Sequence, residues 1–221
     1  SPWISLVITI VAVVLVMNAV NFIDGLDGLV AGVATIAGGV FFVYAYLLQS
    51  QAQTEYFNLA SLTTVVLIGA CLGFLPLNWH PAKLFMGDAG SVPLGFLAGA
   101  LGLAGREGGA WPLWFPLLVF APFILDATVT LLRRALRGER IWQAHRTHYY
   151  QRLVQMGAGH RRTALLAYAL MAVAATAAVL ALPLGFSLQC VIITMCVFLH
   201  LVLGYRIDCA WRRHQAGAPT P

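Results

Sequence analysis

Charge is what this 221-residue chain has little of. Only 10% of its residues are Asp, Glu, Lys or Arg, where a soluble domain carries roughly a quarter. Eight residues are acidic, and the 13 basic ones include a single lysine, Lys83. Apolar residues make up 60%, and the mean hydropathy is +0.82. These values exclude a soluble globular domain and predict an all-α polytopic membrane protein, with residues 1–221 as one integral membrane domain. Cysteine is also scarce. The four cysteines include no C-x-x-C pair, and Cys71, Cys190 and Cys196 lie inside apolar runs. They read as small buried apolar side chains, not as zinc ligands or disulfide partners. Internal repeats and low-complexity segments are missing. No signal peptide precedes the first apolar run, and the chain opens Ser-Pro-Trp without an initiator Met.

The apolar residues fall into about seven candidate spans: 3–20, 29–48, 58–76, 91–105, 111–132, 163–182 and 185–204. The fourth is short and Gly-rich. Only Pro183-Leu184 separates the last two, which predicts a tight helical hairpin. The connections alternate in character. Segments 21–28, 77–90, 133–162 and 205–221 hold all the basic residues except Arg106. By the excess of Lys and Arg expected in cytoplasmic loops, these segments face the cytoplasm and Ser1 lies outside. The outer connections offer little beyond Gln49, Gln51, Gln53, Thr54, Glu55, Arg106 and Glu107. Chemistry is therefore expected at the cytoplasmic face.

Residues 18–29 are the centre of the sequence. Asn18, Asn21, Asp24 and Asp27 recur at every third position between two apolar runs, and Gly25 and Gly28 follow the two Asp residues. Carboxylates at a membrane edge are costly to place without partners. Glycines loosen the helix and let a ligand approach the backbone. The plain alternative is helix-end carboxylates satisfied by caps or nearby Arg. A calcium loop of EF-hand type is excluded: the Asp residues are three apart, and Thr35 stands where the bidentate Glu belongs. The membrane phosphotransferase pattern D-x-x-D-G-x-x-A-R is matched only in part, since Gly32 replaces the Arg and the later Asp residues are absent.

In the second motif, within 76–95, Asp88 is flanked by Gly87 and Gly90, with Ser91 at the start of a helix. A carboxylate on a Gly-rich turn suits a hard cation such as Mg²⁺. The helix start can donate amides to a phosphate, and Phe85 offers a ring for stacking on a base. The alternative is that Asp88 caps the helix. In the third motif, His145 and His148 stand three apart and so share a face in an expected amphipathic helix over 139–156, anchored by Trp142, Tyr149 and Tyr150. Two imidazoles could hold zinc, but no acidic or Cys partner lies in this segment. Binding of a diphosphate by His145, Arg146 and His148 fits better; the alternative is contact with lipid head groups. Asp126 is expected to pair with Arg133 or Arg134. His80 and His160 are unassigned loop residues, and His200 reads as a satisfied core histidine.

Taken together, Asn-x-x-Asn-x-x-Asp-Gly-Leu-Asp-Gly-Leu, Phe-Met-Gly-Asp-x-Gly-Ser and His-Arg-x-His resemble the polyprenyl-phosphate N-acetylhexosamine-1-phosphate transferases, glycosyltransferase family 4. The sugar branch, which makes O-antigen and teichoic acid precursors, is the closer match. The related phospho-MurNAc-pentapeptide transferases have consecutive His at the third motif. The resemblance implies transfer of a sugar 1-phosphate from a UDP-N-acetylhexosamine to undecaprenyl phosphate, with release of UMP, as an early membrane step of cell-envelope polysaccharide synthesis. It implies Asp88 as the magnesium ligand, with Mn²⁺ as a substitute. Asn21, Asp24 and Phe85 would contact uridine, Asn18 and Asp27 would shape the pocket, and His145, Arg146 and His148 would hold the diphosphate or sugar. Asp24, Asp27, Asp88, His145 and His148 are the expected catalytic set. The implied partners are the two substrates and the bilayer of a bacterial inner membrane, with a homodimer as the assembly considered and no nucleic acid. The family's upstream Asp-Asp pair is absent. With the N-out, Met-less start, this predicts an N-terminally truncated member lacking about three or four helices, a fragment expected to be inactive alone. Two rivals are an inactive family relative acting as a scaffold and a transporter. A transporter would place acidic residues near mid-span, whereas here they sit at cytoplasmic ends.

Overall fold

Long apolar stretches in lipid must satisfy their backbone internally, and helices do so segment by segment. The computed structural model describes residues 2–49, 55–107, 109–140, 143 and 145–217, which contain helices and no strand. In order these are α1 (Pro2–Ile23), α2 (Leu29–Gln49), α3 (Glu55–Asn78), α4 (Gly87–Glu107), α5 (Trp114–Val119), α6 (Ala121–Leu136), α7 (Tyr149–Leu153), α8 (Gly159–Ala181) and α9 (Phe186–Gly217). A wide π-type turn, Val154–Ala158, joins α7 to α8 and breaks at Gly157.

The seven expected spans fall on α1, α2, α3, α4, the α5–α6 pair, α8 and α9. Among the described residues, four stretches are long and apolar enough to cross a bilayer: Trp3–Ile23, Leu59–Asn78, Tyr149–Ala181 and Phe186–Ala216. Large apolar side chains stay exposed along α1, α3 and α9, the arrangement of an all-α polytopic membrane protein. The fifth span is broken at Phe120. Pro122 has no N–H to continue the ladder, so the chain restarts as α6. Segment 205–221, expected as a tail, is helical through Gly217. The α8–α9 reversal is held by Gln189, whose Nε2 donates to the carbonyls of Leu182 and Leu184. Cys190 is exposed rather than buried.

Packing between these helices uses small residues, because lipid supplies no hydrophobic drive between apolar helices. The buried positions of α4 are Ser91, Gly95, Gly99, Gly102 and Gly105. Ser91, Gly95 and Gly99 share one face at four-residue spacing, and α1 lies along it. A Cβ at Gly95 would come 2.7 Å from the Cα of Met17. The buried face of α8 is similarly small, with Ala164, Ala174, Ala175, Ala178 and Ala181 around Met171. At the end away from the three motifs, the Phe41 and Trp111 rings stack at 5.2 Å, and Trp111 Nε1 donates to Gly102 O.

Gly95→Ala should cost about 1–3 kcal/mol through forced separation of α1 and α4, read as a lower thermal unfolding midpoint in detergent. Gly73→Ala, where an added Cβ meets nothing within 4 Å, is the control. Equal behaviour of the two variants would contradict the tight α1–α4 contact.

Candidate functional site

The first motif forms the end of α1 and the turn into α2. Gly28 adopts φ +76°, a left-handed conformation that favours glycine. Its N–H donates to Asn78 Oδ1 at 3.0 Å, and the Tyr168 hydroxyl donates to its carbonyl. Asn78 Nδ2 reaches on to Leu84 O at 2.9 Å. At the other end of the turn, the Tyr150 hydroxyl donates to Phe22 O at 2.5 Å. The loop 24–28 is thus held by side chains from α3, α7 and α8.

The second motif meets the first through Asn21. Its Nδ2 donates to Asp88 Oδ1 at 2.6 Å and to Ser91 Oγ at 2.9 Å. Ser91 in turn donates to Gly87 O at 3.0 Å. The half-buried Asp24 carboxyl is raised above its usual range, first by burial. A backbone hydrogen bond from Gly87 opposes this, and the nearby charge of Asp88 adds to it. Phe85 stands 68% exposed beside these groups in sequence. Asn18 does not join them; it is exposed and its Nδ2 donates back to Val14 O in α1.

Asp27 has its own partners. His80 Nδ1 lies 2.7 Å from Oδ2, the Ala82 amide donates to the same oxygen at 3.2 Å, and His160 Nδ1 lies 3.2 Å from Oδ1. Burial alone would raise this carboxyl, but the His80 and Ala82 hydrogen bonds and the two imidazoles hold it below its usual value. His80 and His160, unassigned from sequence, therefore belong to the site.

The third motif is not built as expected. Glu139, Arg140 and residues 145–147 are not helical; α6 ends at Leu136, and the chain turns away at Gly138, with φ +70°. Arg134 holds the departing chain through Glu139 and the carbonyl of Arg140. Thr147 Oγ1 and His145 Nδ1 lie 2.9 Å apart, a local bond of the kind that competes with helix formation. Trp142, expected as an anchor, lies outside the described residues. His145 and His148 still meet, with ring centroids 4.9 Å apart, but at an extended entry to α7 and not on one helix face. His148 is only 2% exposed, while Arg146 is exposed.

Asp126 makes a different contact from the one expected. Its Oδ1 accepts from the Tyr149 amide at 2.9 Å and from Thr130 Oγ1 at 3.2 Å, and lies 3.3 Å from His148 Nδ1. Arg133 turns instead to Asp208, which the sequence did not single out. Arg133 and Arg152 each approach this buried carboxylate at 2.7 Å, and Tyr149 OH donates to it at 3.2 Å. Asp208 was hidden because it lies 56 or more residues from these partners.

Residues 1–106 match the model of glycosyl transferase family 4. The decaprenyl-phosphate N-acetylglucosaminephosphotransferase of Mycolicibacterium smegmatis is 38% identical over 152 residues, covering 62% of this chain and 37% of the relative. A Bacillus subtilis protein named "Probable undecaprenyl-phosphate N-acetylglucosaminyl 1-phosphate transferase" is 36% identical over 107 residues, covering 48% of this chain and 30% of the relative. The phospho-N-acetylmuramoyl-pentapeptide-transferase of Halalkalibacterium halodurans is 37% identical over 130 residues, with 56% and 35% covered. The chain spans only about a third of the length of these relatives, 30–37%.

Asp126→Ala would leave the Tyr149 amide and the buried His148 ring without their acceptor. A loss of about 1–3 kcal/mol is expected, measured by thermal unfolding; an unchanged midpoint would remove the orienting role of Asp126. His145 tests a second point. Its ring is held below the ordinary value of 6.5 by burial, then by His148 and Arg134. The folded protein therefore takes up this proton less readily than the unfolded chain, so acidification below about 6.5 costs stability. His145→Gln should gain on the parent protein between pH 7 and 5, and a pH-independent difference between their midpoints would contradict this.

Proposed function

We propose, from the match of residues 1–106 to the model of glycosyl transferase family 4, that the chain transfers a sugar 1-phosphate from a UDP-N-acetylhexosamine to undecaprenyl phosphate. An oxygen of the lipid phosphate attacks the sugar-linked phosphorus. The bond from that phosphorus to the UMP oxygen breaks, and UMP leaves with the electron pair. A polyprenyl-diphospho-sugar remains in the membrane. The relatives' names carry decaprenyl or undecaprenyl phosphate and N-acetylglucosamine, so UDP-N-acetylglucosamine is the first donor to test. The excess of basic residues in one set of connections supports a site at the cytoplasmic face of a bacterial inner membrane, where an O-antigen-like glycan would begin.

The contact of Asn21 with both Asp88 and Ser91 carries most of this assignment. It joins two motifs 67 residues apart into one oxygen-rich cluster at the start of α4. The donors fit a hard divalent cation: Asp88 is exposed and offers carboxylate oxygens, and its charge already disfavours ionisation of Asp24. Asp88 would hold Mg²⁺, or Mn²⁺ in its place, and the cation would neutralise charge on the diphosphate. The chain's own groups do the rest. Asn21 and Asp24 contact uridine, and the exposed Phe85 ring stacks on its base. Asp27, engaged by His80 and His160, shapes the pocket wall. Arg146 and His145 hold the diphosphate or sugar, with His148 fixed behind them by Asp126. Asn18 keeps the polar edge of α1.

In membranes carrying the protein, UMP release should require polyprenyl phosphate, a divalent metal and a UDP-N-acetylhexosamine. Asp88→Asn should lower it at least about 100-fold while the unfolding midpoint stays within a few degrees. Undiminished release by that variant would overturn the metal assignment. No release with any UDP-sugar, from folded protein carried at the full length of these relatives, would overturn the transferase.

A further inference from the structure

A second cluster near the first is built from different chemistry. Asp27, His80 and His160 come from the α1–α2 turn, the segment after α3 and the start of α8. They are 53 and 133 residues apart in sequence, yet one ligand atom from each lies within 4.8 Å of the other two. The carboxylate is shared: Oδ2 faces His80 Nδ1 at 2.7 Å, and Oδ1 faces His160 Nδ1 at 3.2 Å. The two imidazoles stack at 5.2 Å, tilted 20°, and both turn the same nitrogen toward Asp27.

We propose that Asp27, His80 and His160 form a binding site for a divalent transition metal of the Zn²⁺ class, separate from the oxygen cluster at Asp88. Two imidazole nitrogens and one carboxylate are the donors such ions prefer, whereas Mg²⁺ selects oxygen. Three protein ligands leave a fourth position open, as in zinc sites that accept water or substrate. The exposure pattern agrees: the Asp27 side chain is 10% exposed, while His80 and His160 are 43% and 35% exposed. The open side thus lies over the histidines. The carboxylate is fixed before any ion arrives. The Ala82 amide donates to Oδ2, and the next residue, Gly28, is held by Asn78 and Tyr168. Such outer contacts orient a ligand and sharpen metal affinity. A bound Zn²⁺ with neutral imidazoles would give the cluster a net charge of +1. It would then attract a phosphate oxygen into the open position and tie three chain segments together.

The test is metal binding to the purified, chelator-stripped protein in detergent, with no turnover involved. Zn²⁺ titration against a chromogenic chelator should show one tight site per chain. Co²⁺ should give the visible absorption of a four-coordinate nitrogen and oxygen site. His80→Ala and His160→Ala should each weaken Zn²⁺ binding by about 100-fold or more, while Asp88→Asn and His145→Ala should leave it unchanged. Circular dichroism and unfolding midpoints matching the parent protein show that the His variants are folded; if a His→Ala variant unfolds, His→Gln at the same position takes its place. Absence of a tight site in the parent protein, or binding that survives both His substitutions, overturns the proposal. Loss of Zn²⁺ binding in Asp88→Asn would overturn the separation of the two sites. Because no step depends on UMP release, failure here and failure of the transferase assignment are read independently.

Discussion

The approach of α1 to α4 is the contact on which the polar end depends. Gly95 and Gly99 present almost nothing to Met17 and Val13, so the two backbones close up. That closeness brings Asn21, in the last turn of α1, within hydrogen-bond reach of Asp88 and Ser91 in the first turn of α4. A Cβ at Gly95 would press on the Met17 backbone and lift Asn21 away from both. Ser91, Gly95 and Gly99 are thus one row in which packing and site geometry are the same property: its first member binds Asn21, and the others permit the approach.

The histidine segment is positioned differently, by two buried carboxylates acting on one tyrosine. Asp126 takes the Tyr149 amide, and Asp208 takes the Tyr149 hydroxyl. The guanidinium groups of Arg133 and Arg152 lie over its ring at 5.7 and 5.5 Å while bonding Asp208. A buried carboxylate with two cationic partners and a hydroxyl has its charge compensated, which a lone one would not. Through this cluster α6, α7 and α9 fix where His148 enters, and through His148 the placement of His145.

Local pattern made much of this legible. Apolar runs gave the helices, and the clustering of Arg marked which connections would be rich in chemistry. The spacing of Asn21, Asp24 and Asp27 and the Gly-flanked Asp88 marked the first two motifs. What stayed hidden depended on long-range geometry. Nothing in the stretch around Asp126 distinguishes a partner at Arg133 from one at His148. Asp208 sits in the basic segment 205–221, and its partners arrive from α6 and α7. His80 and His160 look ordinary until Asp27 stands between them. Asn18 shows the opposite failure: it matches the three-residue spacing but back-bonds to Val14 within its own helix. The helix expected over 139–156 forms only from Tyr149, because Gly138 and the Thr147–His145 contact favour turns where periodicity suggested continuity.

The two tyrosine hydroxyls on the first motif divide the polar end into fixed and adjustable parts. Tyr150 holds the carbonyl of Phe22, and Tyr168 holds that of Gly28, so the turn is gripped at both ends by the helices that follow the matched region. Its carboxylates are carried on a stiff frame. Phe85 and the Arg146 side chain are exposed, although Gln155 Nε2 holds the Arg146 carbonyl at 2.9 Å. Under the proposed transfer, accommodation of donors that differ in shape would fall on the ring and the guanidinium, while the carboxylates would keep a constant position against the group common to all of them.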